Sequence, residues 1–234
     1  MTEAIKLATR QVLAAMVLAV FVVTSTSLAH AAGEAKAMLV LDASGSMWQK
    51  VRGVHKITIA RQVVSGLMED WDREVQLGLT AYGHRRKGDC SDIQTIIPIS
   101  DSTAERVPGV VNKLSPKGKT PISAAITKAA RELRYTEEPA TVILVTDGIE
   151  TCNADPCSVA KTLEESGVDF TAHVIGFDLS EEEGAQVRCI ADFTGGQFHA
   201  ANTADQLLAA LRSAAEAAKP KLSDKVRIAL SEGG

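Results

Sequence analysis

The chain has 234 residues, of which 45% are hydrophobic and 23% are charged, so it can form a sizeable folded core and does not have the composition of a disordered protein. Its formal net charge is -4. Because proteins that bind nucleic acid neutralise phosphates with clustered lysine and arginine, this acidic balance argues against nucleic acid as a partner.

Residues 1–31 have the pattern of a secretory signal peptide. Lys6 and Arg10 precede the apolar run VLAAMVLAVFVV, and Ala29 and Ala31 satisfy the small-x-small rule for cleavage. An uncleaved membrane anchor is the alternative, and it would be the only membrane contact of the chain. No cysteine lies near the cleavage point, which excludes a bacterial lipoprotein anchor. We therefore predict an exported protein, either periplasmic or secreted.

Strand and helix patterns alternate along residues 35–218, which we predict to form one domain. The predicted strands are residues 37–42, 75–82, 93–99, 141–147, 169–177 and 197–200. The predicted helices are residues 57–71, 104–114, 122–135, 155–167, 180–193 and 203–219. Strands that are apolar on both faces and separated by amphipathic helices indicate an α/β fold, a doubly wound, mostly parallel six-stranded sheet with helices on both faces.

The second and third predicted strands are an exception to this parallel pattern. Only the polar loop GHRRKGDCSD joins them, and it is too short for a crossover helix. We therefore predict an antiparallel pair at one edge of the sheet.

Side chains with oxygen atoms occur in three of the predicted loops. DASGSM follows the first strand, TDGIETC follows the fourth, and SPKGKTP precedes the third helix. Because ligands bind beyond the carboxyl ends of the strands in such sheets, five side chains are expected to gather there: Asp42, Ser44, Ser46, Thr120 and Asp147. A set of oxygen donors favours a hard cation such as Mg²⁺ or Mn²⁺ over zinc or copper. With only two carboxylates, the cation would keep an open position that attracts an external carboxylate.

This arrangement resembles the metal-ion-dependent adhesion site (MIDAS) of the von Willebrand factor type A family. The matching motifs are DASGS after a buried strand, GKTP before a helix and VTDG after another strand, and the resemblance covers nearly the whole mature chain. It implies that Ser44, Ser46 and Thr120 bind Mg²⁺ directly, with Mn²⁺ or Ca²⁺ as alternatives. It also implies that Asp42 and Asp147 act largely through bound waters, and that an acidic residue of a protein partner completes the coordination.

We therefore predict a divalent-cation-dependent, adhesion-type protein-binding module of the cell envelope that is not an enzyme. Two alternatives remain open: a metal-dependent hydrolase whose cation activates water near Asp147 or Glu150, and a structural envelope protein whose metal stiffens loops. A serine hydrolase is disfavoured because no GxSxG elbow is present. A nucleotide site is disfavoured because GKT lacks the glycine five residues before Gly118, where Lys113 stands.

Four residues near the predicted metal site are candidates for contact with the ligand. Arg85 and Arg86 lie in the hairpin loop, which is either a solvated tip or a basic rim that steers an acidic partner. Trp48 is either a partly exposed aromatic contact or a residue that packs on the first helix. Glu150 would either repel an acidic ligand or help to orient it.

The four cysteines, Cys90, Cys152, Cys157 and Cys189, form an even set in a chain that we predict to be exported, so we expect two disulfides. Zinc is disfavoured because no CxxC pair exists. Three pairings remain open. The predicted topology favours Cys90 with Cys152 and Cys157 with Cys189, and a local bridge between Cys152 and Cys157 is the alternative.

Residues 219–234 do not fit the α/β pattern. They contain the strand-like stretch VRIAL after a linker with a proline. We predict a linker followed either by a strand that adds to an edge of the sheet or by the start of a further β-region.

Overall fold

The computed structural model of the chain describes residues 35–219. The predicted signal segment and the predicted tail beyond Lys219 lie outside the described residues. The strands are β1 Ala35–Asp42, β2 Lys50–Val51, β3 Val54–His55, β4 Val75–Tyr82, β5 Ile93–Ser100, β6 Ala140–Thr146, β7 Phe170–Phe177 and β8 Phe198–Ala201. The α-helices are α1 Lys56–Glu69, α2 Val107–Val111, α3 Ile122–Glu132, α4 Pro156–Ser166, α5 Glu181–Phe193 and α6 Ala204–Ala217. None of the helices within residues 35–219 has the length and hydrophobicity that a membrane span requires.

Six strands form one sheet in the order β5-β4-β1-β6-β7-β8. All neighbouring pairs are parallel except β4 and β5, which are antiparallel at one edge. The predicted α/β fold with one antiparallel edge strand is therefore confirmed. Because β1 lies near the centre, between β4 and β6, the loop after it is flanked by the loops after both neighbours.

The sheet has a hydrophobic core on each face, as the alternation of side chains along a strand requires. On one face, Leu39 and Leu41 of β1 pack with α1, α2 and α6. On the other face, Met38 and Val40 pack with α3, α4 and α5. These four side chains are at most 1% exposed, and burying a side chain of this size contributes roughly 1.5–3 kcal/mol. The central strand is thus fixed from both sides, which holds the residues at its end in place.

Beyond shifts of a few residues at the ends of elements, two local features differ from the prediction. The predicted helix 104–114 is a 3-10 helix at Ala104–Arg106 followed by the short helix α2. Pro108 and Gly109 shorten this segment, because proline has no N–H to donate and glycine is a weak helix former. The hairpin of β2 and β3 is not predicted, since strands of two residues are too short to show periodicity. It turns at Arg52 and Gly53, which both have positive φ.

Two disulfides join neighbouring parts of this fold. The Cys90–Cys152 bridge, with Cα atoms 5.7 Å apart, connects the β4–β5 loop to the loop after β6. The Cys157–Cys189 bridge, with Cα atoms 5.4 Å apart, connects α4 to α5. This is the pairing that the predicted topology favours, and the alternative bridge between Cys152 and Cys157 is wrong.

Candidate metal centre

Asp42 is the last residue of β1, and its carboxylate is fully buried. Its Oδ1 accepts a hydrogen bond of 2.7 Å from the backbone N–H of Ser44. Its Oδ2 accepts bonds of 2.9 Å from the Tyr82 hydroxyl and the Thr146 hydroxyl, which belong to the two flanking strands. Burial raises the pKa of Asp42, and these hydrogen bonds oppose that rise. Burial also raises the pKa of Tyr82 well above its ordinary value, so Tyr82 stays a neutral donor.

Ser44, Ser46 and Asp147 form a continuous chain of hydrogen bonds. The two serine Oγ atoms are 2.9 Å apart, and the Ser46 hydroxyl donates to Oδ1 of Asp147 over 2.7 Å. Asp147 directly follows β6, so the chain joins two loops that are about a hundred residues apart in sequence. The structure therefore brings four of the five predicted site residues into one hydrogen-bonded group.

Thr120 lies in the loop before α3 and is buried. The carbonyl of Gly118 in this loop accepts a 3.1 Å bond from the N–H of Gly45. The N–H of Thr120 donates to the Thr151 hydroxyl over 2.8 Å, and the N–H of Thr151 donates to the Thr120 carbonyl over 3.1 Å. The loop that carries Thr120 is thus bonded to both of the loops that carry the other four residues.

A buried lysine lies beside this group. Lys56, the first residue of α1, is 2% exposed. Its Nζ lies 3.3 Å from Oδ2 of Asp147 and 3.1 Å from Oδ2 of Asp178. Oδ2 of Asp147 accepts no well-aligned hydrogen bond within residues 35–219, so its contact with Lys56 is ionic. Lys56 therefore places a positive charge beside the Asp147 carboxylate of the site.

Three side chains of the site are not among the predicted site residues: Lys56, Tyr82 and Thr146. Of these, only Thr146 lies within a matching motif, VTDG. The predicted helix begins one residue too late to include Lys56. Ala60 and Val63, which are buried, lie four and seven residues after this lysine and therefore on the same face of the helix. Extending the predicted helix by one residue towards its N-terminus would place Lys56 on the buried face. Tyr82 has no comparable signal, and the VTDG motif does not reveal the hydrogen bond from Thr146 to Asp42, because both contacts depend on which strands flank β1.

Glu150 is engaged with the backbone. Its Oε2 accepts a 2.9 Å bond from the N–H of Ser123 in the first turn of α3, and its Oε1 accepts a 2.7 Å bond from the N–H of Cys152. A carboxylate at a helix N-terminus satisfies a free N–H and complements the helix dipole. Glu150 thus connects the loop after β6 to α3, and a contact with the ligand stays a prediction.

The other three candidate contact residues are at the surface. Trp48 is 45% exposed, its Nε1 donates to the carbonyl of Pro116 over 2.9 Å, and its ring contacts His55 edge to face. It is therefore an exposed aromatic in a fixed position. Arg85 lies 2.6 Å from the buried Asp92, and Arg86 lies 2.9 Å from Asp89, so both arginines have partners within the hairpin loop.

Two glycines allow the loops around the site to pack backbone against backbone. Gly83 has φ +68°, and a Cβ on it would lie 2.6 Å from the carbonyl oxygen of Lys119 and 2.9 Å from Cα of Ser44. A Cβ on Gly118 would lie 2.6 Å from the carbonyl oxygen of Arg86. Any larger residue would separate the loop of Thr120 from the loops after β1 and β4.

Gly83→Ala should destabilise the protein by about 2 kcal/mol more than Gly88→Ala, because overpacking against backbone atoms adds a cost of this order. Gly88 is the matched control: it also has positive φ, +74°, but a Cβ on it would meet nothing within 4 Å. Both variants carry the same left-handed backbone penalty. Urea unfolding would measure the difference, and equal losses in the two variants would contradict the packing described here.

The pKa of Asp147 is raised from 3.8 to about 7. Burial is the largest cause and the charge of Asp42 is the second, and together they outweigh the Ser46 hydrogen bond and the Lys56 charge. Between these two pH values the folded state holds a proton that the unfolded state has lost. Protonation of Asp147 therefore contributes to the free energy of unfolding. This contribution is fully present below pH 3.8 and is lost as the pH rises through about 7.

In EDTA, the unfolding free energy of the wild type should accordingly fall more steeply between pH 5 and 8 than that of Asp147→Asn, whose amide does not titrate. Urea unfolding at several pH values tests this expectation. Parallel curves for the two proteins would show that Asp147 is not the titrating group.

The donor set fits a hard divalent cation. The side-chain oxygens of Ser44, Ser46 and Asp147 are already within hydrogen-bond distance of their neighbours, and every donor in the group is oxygen. Asp42 fixes the loop through the N–H of Ser44. The residues present thus match the chemistry of Mg²⁺, Mn²⁺ or Ca²⁺ better than that of a soft metal.

Comparisons with known proteins agree with this fold. The family model described as the von Willebrand factor type A domain matches residues 38–217. The Bacillus subtilis (strain 168) protein YwmD is 29% identical over 209 residues, which cover 84% of this chain and 93% of YwmD.

Two solved structures have similar folds at low sequence identity. The pilus adhesin SpaC from Lactobacillus rhamnosus GG has a TM-score of 0.65 at 16% identity, covering 78% of this chain and 30% of SpaC. Proximal thread matrix protein 1 from the mussel byssus, with a zinc-occupied MIDAS motif, has a TM-score of 0.59 at 20% identity, covering 80% of this chain and 46% of that protein. The chain thus spans less than half the length of either solved chain. Because the family model matches most of the length of this chain, the chain belongs to the von Willebrand factor type A family.

Proposed function

We propose that the chain is a divalent-cation-dependent protein-binding module. It would hold Mg²⁺, with Mn²⁺ or Ca²⁺ as alternatives, through five residues: Asp42, Ser44, Ser46, Thr120 and Asp147. The observation that carries the proposal is the hydrogen-bonded group of carboxylates and hydroxyls formed by the loops after β1 and β6. The bound cation would supply an open coordination position for a carboxylate of the partner.

The state of the carboxylates favours binding over hydrolysis. A general base must have a free oxygen within reach of the proton that it abstracts. Asp42 accepts three hydrogen bonds, and both oxygens of Glu150 accept backbone N–H groups. Asp147 accepts a bond from Ser46 on one oxygen and pairs with Lys56 on the other. Of the two carboxylates in the hydrolase alternative, Glu150 thus has both oxygens engaged, and the one Asp147 oxygen without a hydrogen bond in the described structure lies 3.3 Å from the Lys56 ammonium.

The similar structures support an adhesion-type role outside the cytoplasm. SpaC is a pilus adhesin, and the mussel protein has a zinc-occupied MIDAS motif. We therefore propose a periplasmic or secreted location, in agreement with the signal pattern of residues 1–31. Because a MIDAS motif in that protein holds zinc, Zn²⁺ should be included in any screen of cations.

Affinity capture tests the proposed function. The immobilised chain is exposed to a cell-envelope extract from its source cells in Mg²⁺ and in EDTA, beside two single variants. Ser46→Ala removes a proposed ligand, and Ser100→Ala is a matched control at the exposed edge strand. We expect a partner that is retained in Mg²⁺ by the wild type and Ser100→Ala, released by EDTA, and lost with Ser46→Ala. If nothing is retained in a metal-dependent way, the proposal is wrong.

A further inference from the structure

Exposed cations are concentrated in three loops that pack together: residues 43–55 after β1, residues 83–92 after β4, and residues 115–120 before α3. Five of these cations are exposed and form no ion pair within the described part of the chain; we call them the basic face: Lys50, Arg52, Lys87, Lys117 and Lys119. They stand out in a chain whose net charge is -4.

Backbone hydrogen bonds hold the three loops against each other. The N–H of Lys117 donates to the carbonyl of Gly83 over 2.9 Å and to that of Ala43 over 3.3 Å. The N–H of Gly118 donates to the same Gly83 carbonyl over 2.7 Å. The Trp48 indole ties the segment before Lys50 to the same loop, through the carbonyl of Pro116. The basic face is therefore carried by the same fixed loops as Ser44, Ser46 and Thr120.

Acidic residues within these loops do not neutralise the basic face. The only acidic residues in the three loops are Asp89 and Asp92, which pair with Arg86 and Arg85. The segments after β6 and β7 carry the opposite charge, with these residues: Asp147, Glu150, Asp155, Asp178, Glu181, Glu182 and Glu183. The edge that holds the candidate metal centre is thus basic on the side of β1 and β4 and acidic on the side of β6 and β7.

Two exposed apolar side chains accompany the basic face. Trp48 is 45% exposed, and Val54, in the hairpin that follows it, is 43% exposed. Both come from the loop that carries Ser44 and Ser46. A ligand on this side would therefore meet both positive charge and apolar surface.

We propose that the basic face extends the metal centre into a binding surface for an acidic protein segment, which contributes several carboxylates rather than one. The inference rests on the proposed metal-dependent binding and specifies the partner for the same site. One carboxylate would bind at the cation, and others would lie over the side of β1 and β4, where the charge is complementary. Trp48 and Val54 favour a peptide over a polyphosphate chain, because only the peptide has apolar side chains to contact them.

Two synthetic peptides of ten residues test the proposal with the full chain. One contains five glutamates and a leucine, and in the other all but one glutamate are replaced by glutamine. Fluorescence anisotropy in Mg²⁺ should give about tenfold tighter binding of the five-glutamate peptide at about 50 mM salt. The difference should shrink at about 1 M salt, where charges are screened beyond roughly 3 Å.

A triple variant with one change in each loop tests the residues: Lys50→Gln, Lys87→Gln and Lys117→Gln. The matched control removes the same charge from exposed positions elsewhere: Arg106→Gln, Arg131→Gln and Lys161→Gln. The first variant should lose about tenfold in affinity for the five-glutamate peptide, and the control should lose less than twofold. Mg²⁺ affinity should not fall in either variant, since removing positive charge does not repel a cation.

The outcomes separate the two proposals. If EDTA leaves the binding of both peptides unchanged, the metal-dependent function fails. Three results would show that the basic face is not the binding surface, whether or not the metal binds. They are equal binding of the two peptides in Mg²⁺, no binding of the five-glutamate peptide, and equal losses of affinity in the two triple variants. Tighter binding of a polyphosphate chain than of the five-glutamate peptide would assign this face to another class of ligand and overturn the inference.

Discussion

Lys56→Met should lower the unfolding free energy of the metal-free protein by about 3 kcal/mol, because removing one partner of a buried ion pair leaves the other charge uncompensated. Lys56 and Asp147 are almost completely buried, and their charged atoms are 3.3 Å apart. The contact with Asp178 adds less, because the side chain of Asp178 is 41% exposed and solvent screens it. The estimate therefore rests mainly on Asp147.

The same substitution should make the protein depend on metal for its stability. A bound cation would replace the missing lysine charge, so Mg²⁺ should raise the unfolding free energy of Lys56→Met by more than it raises that of the wild type. Urea unfolding at pH 8 in EDTA and in Mg²⁺ measures both effects. Lys113→Met is a matched control, because Lys113 is exposed and forms no ion pair within residues 35–219. Equal behaviour of the two variants would show that Lys56 does not neutralise the site.

Replacing either disulfide by a pair of serines should cost roughly 4 kcal/mol, since the closed loops, with sequence separations of 62 and 32 residues, give similar chain-entropy terms. The two double variants should differ in metal binding. Loss of the Cys90–Cys152 bridge should weaken Mg²⁺ binding about tenfold, and loss of the Cys157–Cys189 bridge should change it less than twofold. Similar stability losses make the second variant a matched control for the first.

The reason for this difference is the position of Cys152. Its neighbour Thr151 exchanges two hydrogen bonds with Thr120, and its own N–H donates to Glu150, which also accepts from the first turn of α3. Without the bridge, the segment that fixes Thr120 is held only by these bonds. Isothermal titration of Mg²⁺ into both double variants measures the effect, and equal affinities would contradict a role of the bridge in positioning Thr120.

Much of the fold can be predicted from patterns that extend over many residues. The apolar runs of β1, β6 and β7 and the amphipathic helices between them have enough length to reveal their period, and the short polar loop after β4 reveals the antiparallel edge. The structure differs from the prediction where a segment is too short or is interrupted. The hairpin of β2 and β3 has two-residue strands, and Pro108 and Gly109 interrupt the segment predicted as helix 104–114.

The candidate site can be predicted only in part, for a related reason. Asp42, Ser44 and Ser46 are close in sequence, and the topology of a doubly wound sheet brings Asp147 to the same edge. Tyr82 and Thr146 contact Asp42 because β4 and β6 flank β1. This order of strands cannot be predicted from a local sequence pattern. The two backbone bonds that Glu150 accepts likewise depend on how its loop meets α3, so the sequence alone leaves its role open.

Isothermal titration of Mg²⁺ into the wild type, Thr120→Ala and Thr127→Ala tests the central claim most directly, namely that these loops form one cation site. Thr127 is the matched control, because its hydroxyl donates only to the carbonyl of Ser123 within α3 in the described structure. We expect one ion per wild-type chain, affinity reduced about tenfold or more in Thr120→Ala, as for changes at other metal sites, and unchanged affinity in Thr127→Ala. If the wild type binds no Mg²⁺, Mn²⁺, Ca²⁺ or Zn²⁺, or if both variants bind as the wild type does, the metal centre described here does not exist.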